Sequence, residues 1–167
     1  MITAELRKRL KATAEQIVAP GKGLLAADES TGTCEKKFAK AGIPCTEDTR
    51  RAYRELFFTS AGIGNYISGV ILYDETIRQS ASNGKKFVEI LEKAGVLPGI
   101  KVDQGLKEMD PSTGSTQLTT GPLRAGGSPN EKVTKGLDGL PERLKEYAML
   151  GAKFAKWRAV ITIGDKT

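Results

Sequence analysis

Lys156 and Arg158 stand two residues apart in Lys153–Ile163, a stretch otherwise apolar and β-branched enough to read as a buried strand. Three further stretches carry charge at the end of an apolar run. Leu24–Ser30 closes on Asp28, Glu29 and Ser30, Tyr66–Glu75 on Asp74 and Glu75, and Val96–Asp103 on Lys101 and Asp103. Side chains two apart on an extended chain share a face. Lys156 and Arg158 therefore lie opposite Ala155, Trp157, Ala159 and Ile161, with Trp157 expected in the core, and Lys101 and Asp103 lie opposite Ile100 and Val102. Lysines, arginines and carboxylates gathered on one side of a sheet can hold an anionic group and move protons. They are also all the chain has to work with. It contains no histidine, and its two cysteines, Cys34 and Cys45, match no zinc spacing, so neither a metal site nor a cofactor is expected.

Composition narrows the class of ligand. At 167 residues and 39% hydrophobic content the chain is long enough for one domain and short for two. No apolar run approaches the roughly 20 residues needed to span a bilayer, and the N-terminus lacks the apolar core of a signal peptide, which points to the cytoplasm and away from membranes. The net charge of +6 would suit nucleic acid. The cations are dispersed, however: Arg7-Lys8-Arg9, Lys36-Lys37, Arg50-Arg51 and Lys85-Lys86 are short, lack interleaved aromatics and have acidic residues close by. The expected partner is a small dianionic ligand, such as a phosphorylated metabolite, drawn by the same field.

Helices are expected between the charged strands. Thr3 can cap one that presents Leu6, Leu10, Ala14 and Ile17 for packing and that Pro20 closes. After the first strand, Thr31–Thr33 reads as a site loop and Cys34–Ala41 as a short helix capped by Gly42. A helix from Thr46 to Ser60 is expected to turn Ala52, Tyr53, Leu56 and Phe57 to the core. Lys85–Ala94 forms another around Phe87, Val88, Ile90 and Leu91, and Pro141 opens the last, which runs to Gly151. Residues 107–130, rich in Ser, Thr, Gly and Pro, read as a long mobile loop or insertion.

Strands that alternate with helices imply parallel pairing, because a parallel connection requires a crossover. The fold class is α/β. An open sheet covered on both faces would bury Asp28, Lys101, Asp103, Lys156 and Arg158 against apolar side chains, at several kcal/mol each. A barrel whose interior opens at the C-terminal ends of its strands avoids that cost.

In order along the chain, Leu25-Ala-Ala-Asp-Glu-Ser-Thr-Gly32, Ser68-Gly-Val-Ile-Leu72, Gly99-Ile-Lys-Val-Asp103, Gly136-Leu-Asp-Gly-Leu140 and Phe154-Ala-Lys-Trp-Arg158 resemble the N-terminal half of the class I fructose-bisphosphate aldolases. Five blocks in order make the resemblance specific, and it covers nearly all of the chain outside Asp110–Gly127. It implies a parallel TIM (β/α)8 barrel, with about four βα units present as a single partial barrel domain over residues 1–167. It implies a lyase of glycolysis that cleaves fructose 1,6-bisphosphate reversibly to dihydroxyacetone phosphate and glyceraldehyde 3-phosphate through a Schiff base, without a metal. It also implies a homo-oligomer for the complete protein.

By the same resemblance, Asp28 is similar to the strand-one aspartate that helps proton transfer, Lys101 to a pocket-facing lysine on strand three, and Lys156 to the strand-four lysine that stabilises charge during carbon–carbon cleavage. Arg50 is similar to an arginine assigned to phosphate binding. Thr33 and Lys37 stand where the family often has Ser and Arg near a phosphate, and Arg158 joins this substrate-binding set. A lysine at position 37 gives up the bidentate grip that an arginine has on phosphate. Each assignment has a plainer rival: Asp28 as a helix cap, Lys156 and Arg158 as structural ion pairs with Asp103 and Asp28, Arg50 as a solvated helix residue. The chain ends at Gly164–Thr167, after the fourth strand, so the family's imine-forming lysine, carried on a later strand, is expected to be missing and the chain alone inactive. The alternative is a non-catalytic remnant that binds sugar phosphates, or another protein through its open sheet edges.

Overall fold

A computed structural model describes residues 2–108 and 132–160. The strands are β1 (Gly23–Ala27), β2 (Ile67–Leu72), β3 (Leu97–Lys101), β4 (Leu106–Glu108), β5 (Lys132–Thr134) and β6 (Phe154–Lys156). β1, β2, β3 and β6 form one parallel sheet in that order, and β4 pairs with β5 as a separate antiparallel ribbon. The helices are α1 (Ala4–Ile17), α2 (Thr31–Lys40), α3 (Glu47–Phe58), α4 (Ile63–Tyr66), α5 (Asp74–Ile77), α6 (Phe87–Lys93) and α7 (Leu140–Met149). The chain is thus α/β, with four parallel strands in chain order, as expected for part of a barrel. No helix among the described residues is long and apolar enough to cross a membrane.

The core lies between the sheet and its helices. Ala27, Val70, Leu72 and Ile100 from the strands and Val102 just beyond β3 meet Phe58, Ile77, Phe87, Val88, Leu91 and Tyr147. Phe58 and Phe87 pack edge to face with ring centroids 5.1 Å apart. Each fully buried side chain of this size contributes about 1.5–3 kcal/mol relative to exposure. On the opposite face of the sheet, the Phe154 ring lies over Gly99, where a Cβ would stand 2.2 Å from it. Glycine at position 99 lets that ring lie against the sheet.

Register brings the charged residues to one level. Ala27 pairs with Leu72, Leu72 with Ile100, and Lys101 with Lys156. Asp28, one residue beyond β1, therefore reaches the row of Lys101 and Lys156, all at the C-terminal end of the sheet.

Several local expectations are corrected. Thr31–Thr33 is the first turn of α2 and not a loop, because the Ser30 carbonyl already accepts from Thr33 and Cys34. α1 buries none of its residues. It is fastened at its C-terminal end, where Ser68 Oγ donates to the Ile17 carbonyl at 2.7 Å, and this leaves Leu6 and Leu10 exposed.

In α3 the buried positions are Arg50, Arg54 and Phe58, while Ala52, Leu56 and Phe57 are exposed. The face is turned because both guanidinium groups find partners inside. Strand β6 is three residues long, shorter than the expected Lys153–Ile163. Its pairing with β3 stops at Lys156, so Trp157 leaves the sheet and is 37% exposed rather than core. Residues 161–167 lie outside the described residues. Lys107 and Glu108, expected in the loop, are paired in β4, and the rest of the 107–130 segment lies outside the described residues.

Candidate active site

A cavity of about 800 Å³ opens at the C-terminal ends of the strands. Asp28 enters it from the β1–α2 connection, Lys101 and Asp103 from β3 and its end, and Lys156 from β6. Thr33, in the first turn of α2, and Arg158, just beyond β6, also line it. Lys156 Nζ lies 2.8 Å from Asp28 Oδ2. A flat sheet would hold β1 and β6 three strand spacings apart, about 14 Å. Contact across that gap shows that the sheet has curled toward a barrel wall.

Beside this pair, Lys101 Nζ donates to the Asp103 carbonyl at 2.6 Å and sits 2.9 Å from Asp103 Oδ1. The Asp103 side chain is fully buried, and its Oδ2 has no hydrogen-bond partner among the described residues. Burial pushes the Asp103 carboxyl up, but Lys101, the Gly105 N–H and the charge of Lys156 outweigh it and hold the group below the usual carboxylate range. Among the described residues no group of three or more His, Cys, Asp and Glu side chains is placed to hold a metal ion.

Arg50 and Lys37 are not brought to the cavity. Arg50 is buried and grips Glu75 with both arms, Nε to Oε1 at 2.9 Å and Nη2 to Oε2 at 2.5 Å. It is therefore neither a solvated helix residue nor open to a phosphate in this arrangement. Lys37 pairs with Glu29, which also accepts from Tyr53 Oη at 3.2 Å. Burial pushes Glu29 up, and Lys37, its own backbone N–H and Tyr53 together more than offset it, so its carboxyl is held low. Arg158 is exposed and has no carboxylate partner among the described residues.

Asp74, Arg78, Arg143, Glu146 and Tyr147, none of them expected as site residues from the sequence, also line the cavity. Arg78 bridges Asp74 at 2.9 Å and Glu146 at 2.6 Å, and Tyr147 Oη donates to Asp74 at 3.0 Å. This network ties the end of β2 to α7. Arg143 donates to the Val102 and Gly136 carbonyls. The sequence signal available for the α7 members was the spacing of 143, 146 and 147, which puts them on one side of a helix.

Acid should destabilise the chain through these pairs. Glu29, Glu75 and Asp103 are held below their ordinary values, Glu75 chiefly by the hydrogen bond from Arg50. A carboxyl held low in the folded chain stabilises it fully above the unfolded value, about 4, and that contribution is lost as pH falls through the folded value. Melting temperature should be flat from neutrality to about pH 5 and fall steeply below about pH 4. A melting temperature that is unchanged at pH 3 would show that these pairs contribute nothing.

A family model described as fructose-bisphosphate aldolase class-I matches residues 9–167. The curated relative named probable fructose-bisphosphate aldolase class 1 from Xanthomonas axonopodis pv. citri is 50% identical over 158 residues, 95% of this chain and 42% of the relative. Fructose-bisphosphate aldolase 4, cytosolic, from Arabidopsis thaliana is 49% identical over 156 residues, 93% of this chain and 36% of the relative. A chloroplastic form from the same plant matches as well. Among solved structures, that of fructose-bisphosphate aldolase from Plasmodium falciparum, in complex with TRAP and a small molecule inhibitor, is similar with a TM-score of 0.84 at 41% identity. It covers 99% of this chain and 43% of that one. The chain spans less than half the length of these relatives.

Proposed function

Since the chain belongs to the class-I fructose-bisphosphate aldolase family, we propose that its cavity is the first wall of an aldolase active site and residues 1–167 a single partial barrel domain. The complete protein would cleave fructose 1,6-bisphosphate reversibly to dihydroxyacetone phosphate and glyceraldehyde 3-phosphate. The reaction would run through a Schiff base, in glycolysis, in the cytoplasm and as a homo-oligomer. The observation that carries this reading is the contact of Asp28 with Lys156 at 2.8 Å, across three strand spacings and inside the cavity.

In this reading Asp28 accepts and returns a proton at the substrate hydroxyl, and its pairing with Lys156 fixes both side chains before substrate arrives. Lys156 places positive charge where the substrate oxygen becomes negative, and Lys101 faces the same space from the next strand. Arg158 and Thr33 supply a cation and a hydroxyl at the rim for a phosphate group. Arg50 and Lys37 would join them only by exchanging their present carboxylate partners for the phosphate. For residues 1–167 as a polypeptide, a second reading is sugar-phosphate binding without catalysis. It is favoured by the ion pairs that occupy both cavity lysines.

The test is protection from acetylation. With limiting acetic anhydride and detection by mass spectrometry, fructose 1,6-bisphosphate should slow modification of Lys101 and Lys156, and unphosphorylated fructose should not. Added salt should weaken the protection, since the ligand carries two phosphate groups and the site is open. Equal labelling with and without the bisphosphate would overturn the assignment of this cavity.

A further inference from the structure

We propose that Arg54 is a positioning residue for Asp28, an inference that rests on the reading of Asp28 as a proton-transfer group. Arg54 is the largest fully buried side chain among the described residues. Its guanidinium reaches from α3 to the backbone on both sides of Asp28: Nε donates to the Ala27 carbonyl at 3.4 Å and Nη2 to the Glu29 carbonyl at 2.6 Å. The third arm, Nη1, lies 3.4 Å from Glu75 Oε1, and the group sits 5.9 Å from the centre of the Tyr73 ring.

Asp28 and Glu29 lie in no regular element, between the end of β1 and Ser30, which caps α2, so the backbone that carries Asp28 calls for its own fixation. Arg54 supplies that fixation. With the carbonyls of residues 27 and 29 fastened to α3, and the Glu29 side chain drawn to Lys37 and Tyr53, the Asp28 side chain is left facing the cavity and Lys156. A buried arginine is a costly way to fill space, since an apolar side chain of similar volume often serves stability as well or better. What an apolar side chain cannot do is hold two carbonyls and a carboxylate at once. A lysine carries the charge but lacks the planar fork that spans them.

The inference separates positioning from mere stability through the two cavity lysines. Lys101 is held by Asp103 on its own strand end, with no connection to Arg54, whereas Lys156 depends on Asp28. Acetylation of the full 167-residue chain under native conditions reads both in one sample. Asp28→Asn sets the level for Lys156 without its partner. Arg54→Met should raise Lys156 labelling to that level, about fivefold, while Lys101 labelling stays as in the wild type. Arg54→Lys should raise it nearly as far, because charge alone does not restore the span.

Labelling of Lys156 and Lys101 rising together would assign Arg54 a structural role only, and labelling of neither would leave it no role at the site. Either result overturns the proposal. Should Arg54→Met fail to fold, Arg54→Lys and Glu75→Gln, which loosens one arm, carry the same comparison, with selective exposure of Lys156 expected in each. Absence of fructose 1,6-bisphosphate protection in the wild type would instead sink the reading of the cavity, and it is seen in a different sample from the Arg54 comparison.

Discussion

Glu75→Leu is expected to cost the chain about 3–5 kcal/mol, the usual penalty for leaving a buried charge without its partner. Glu75 accepts from both arms of Arg50 and stands 3.4 Å from Arg54, whose side chain has no access to solvent. Without the carboxylate, Arg54 keeps two carbonyls, the Cys34 sulfur and the Tyr73 ring, none of them charged, for a full positive charge, and Arg50 keeps the Cys45 carbonyl and sulfur. At a few degrees per kcal/mol for a chain of this size, the melting temperature should fall by roughly 10 °C.

Replacing Arg50, Arg54 and Glu75 together by Met, Met and Leu should recover much of that loss, because no charge is then left behind. The same triple variant should still label at Lys156 as Asp28→Asn does, so stability and positioning part company. A Glu75→Leu chain that melts within about 2 °C of the wild type would show that water already screens this cluster.

The second large effect is all or none. Treated with dihydroxyacetone phosphate and borohydride, the 167-residue chain is expected to gain no specific covalent adduct and to show no cleavage of fructose 1,6-bisphosphate. An imine forms when an amine lone pair attacks the ketone. Among the described residues, the two lysines that face the cavity are engaged in ion pairs, Lys156 with Asp28 and Lys101 with the Asp103 side chain, which its carbonyl supplements. The measurement is intact mass followed by peptide mapping after reduction. A stoichiometric adduct on Lys101 or Lys156 would mean that one of them serves as the nucleophile and that this chain is a catalyst as it stands.

What could be read without coordinates was whatever repeats locally. The alternation at 100–103 placed Lys101 and Asp103 opposite Ile100 and Val102 because strand periodicity is a property of the backbone alone. The cap at Thr46, the glycine stops and Pro141 located α3, α6 and α7 to within a few residues for the same reason. The five family blocks then carried the fold class beyond what local pattern can reach.

The face of α3 was not legible. Its apolar residues Leu56 and Phe57 face outward and Arg50 and Arg54 inward, since the charged partner that makes their burial tolerable is Glu75, joined for Arg54 by the carbonyls at 27 and 29, all more than twenty residues away. Trp157 was misplaced because sequence shows that a strand begins and not where its neighbour ceases to pair. The closeness of Asp28 and Lys156, 128 residues apart in sequence, belongs to the tertiary structure alone. Residue types determine that the two can attract each other. Only the curl of four parallel strands decides that they meet, because the distance between β1 and β6 is set by every strand pairing between them and by no single stretch of the chain.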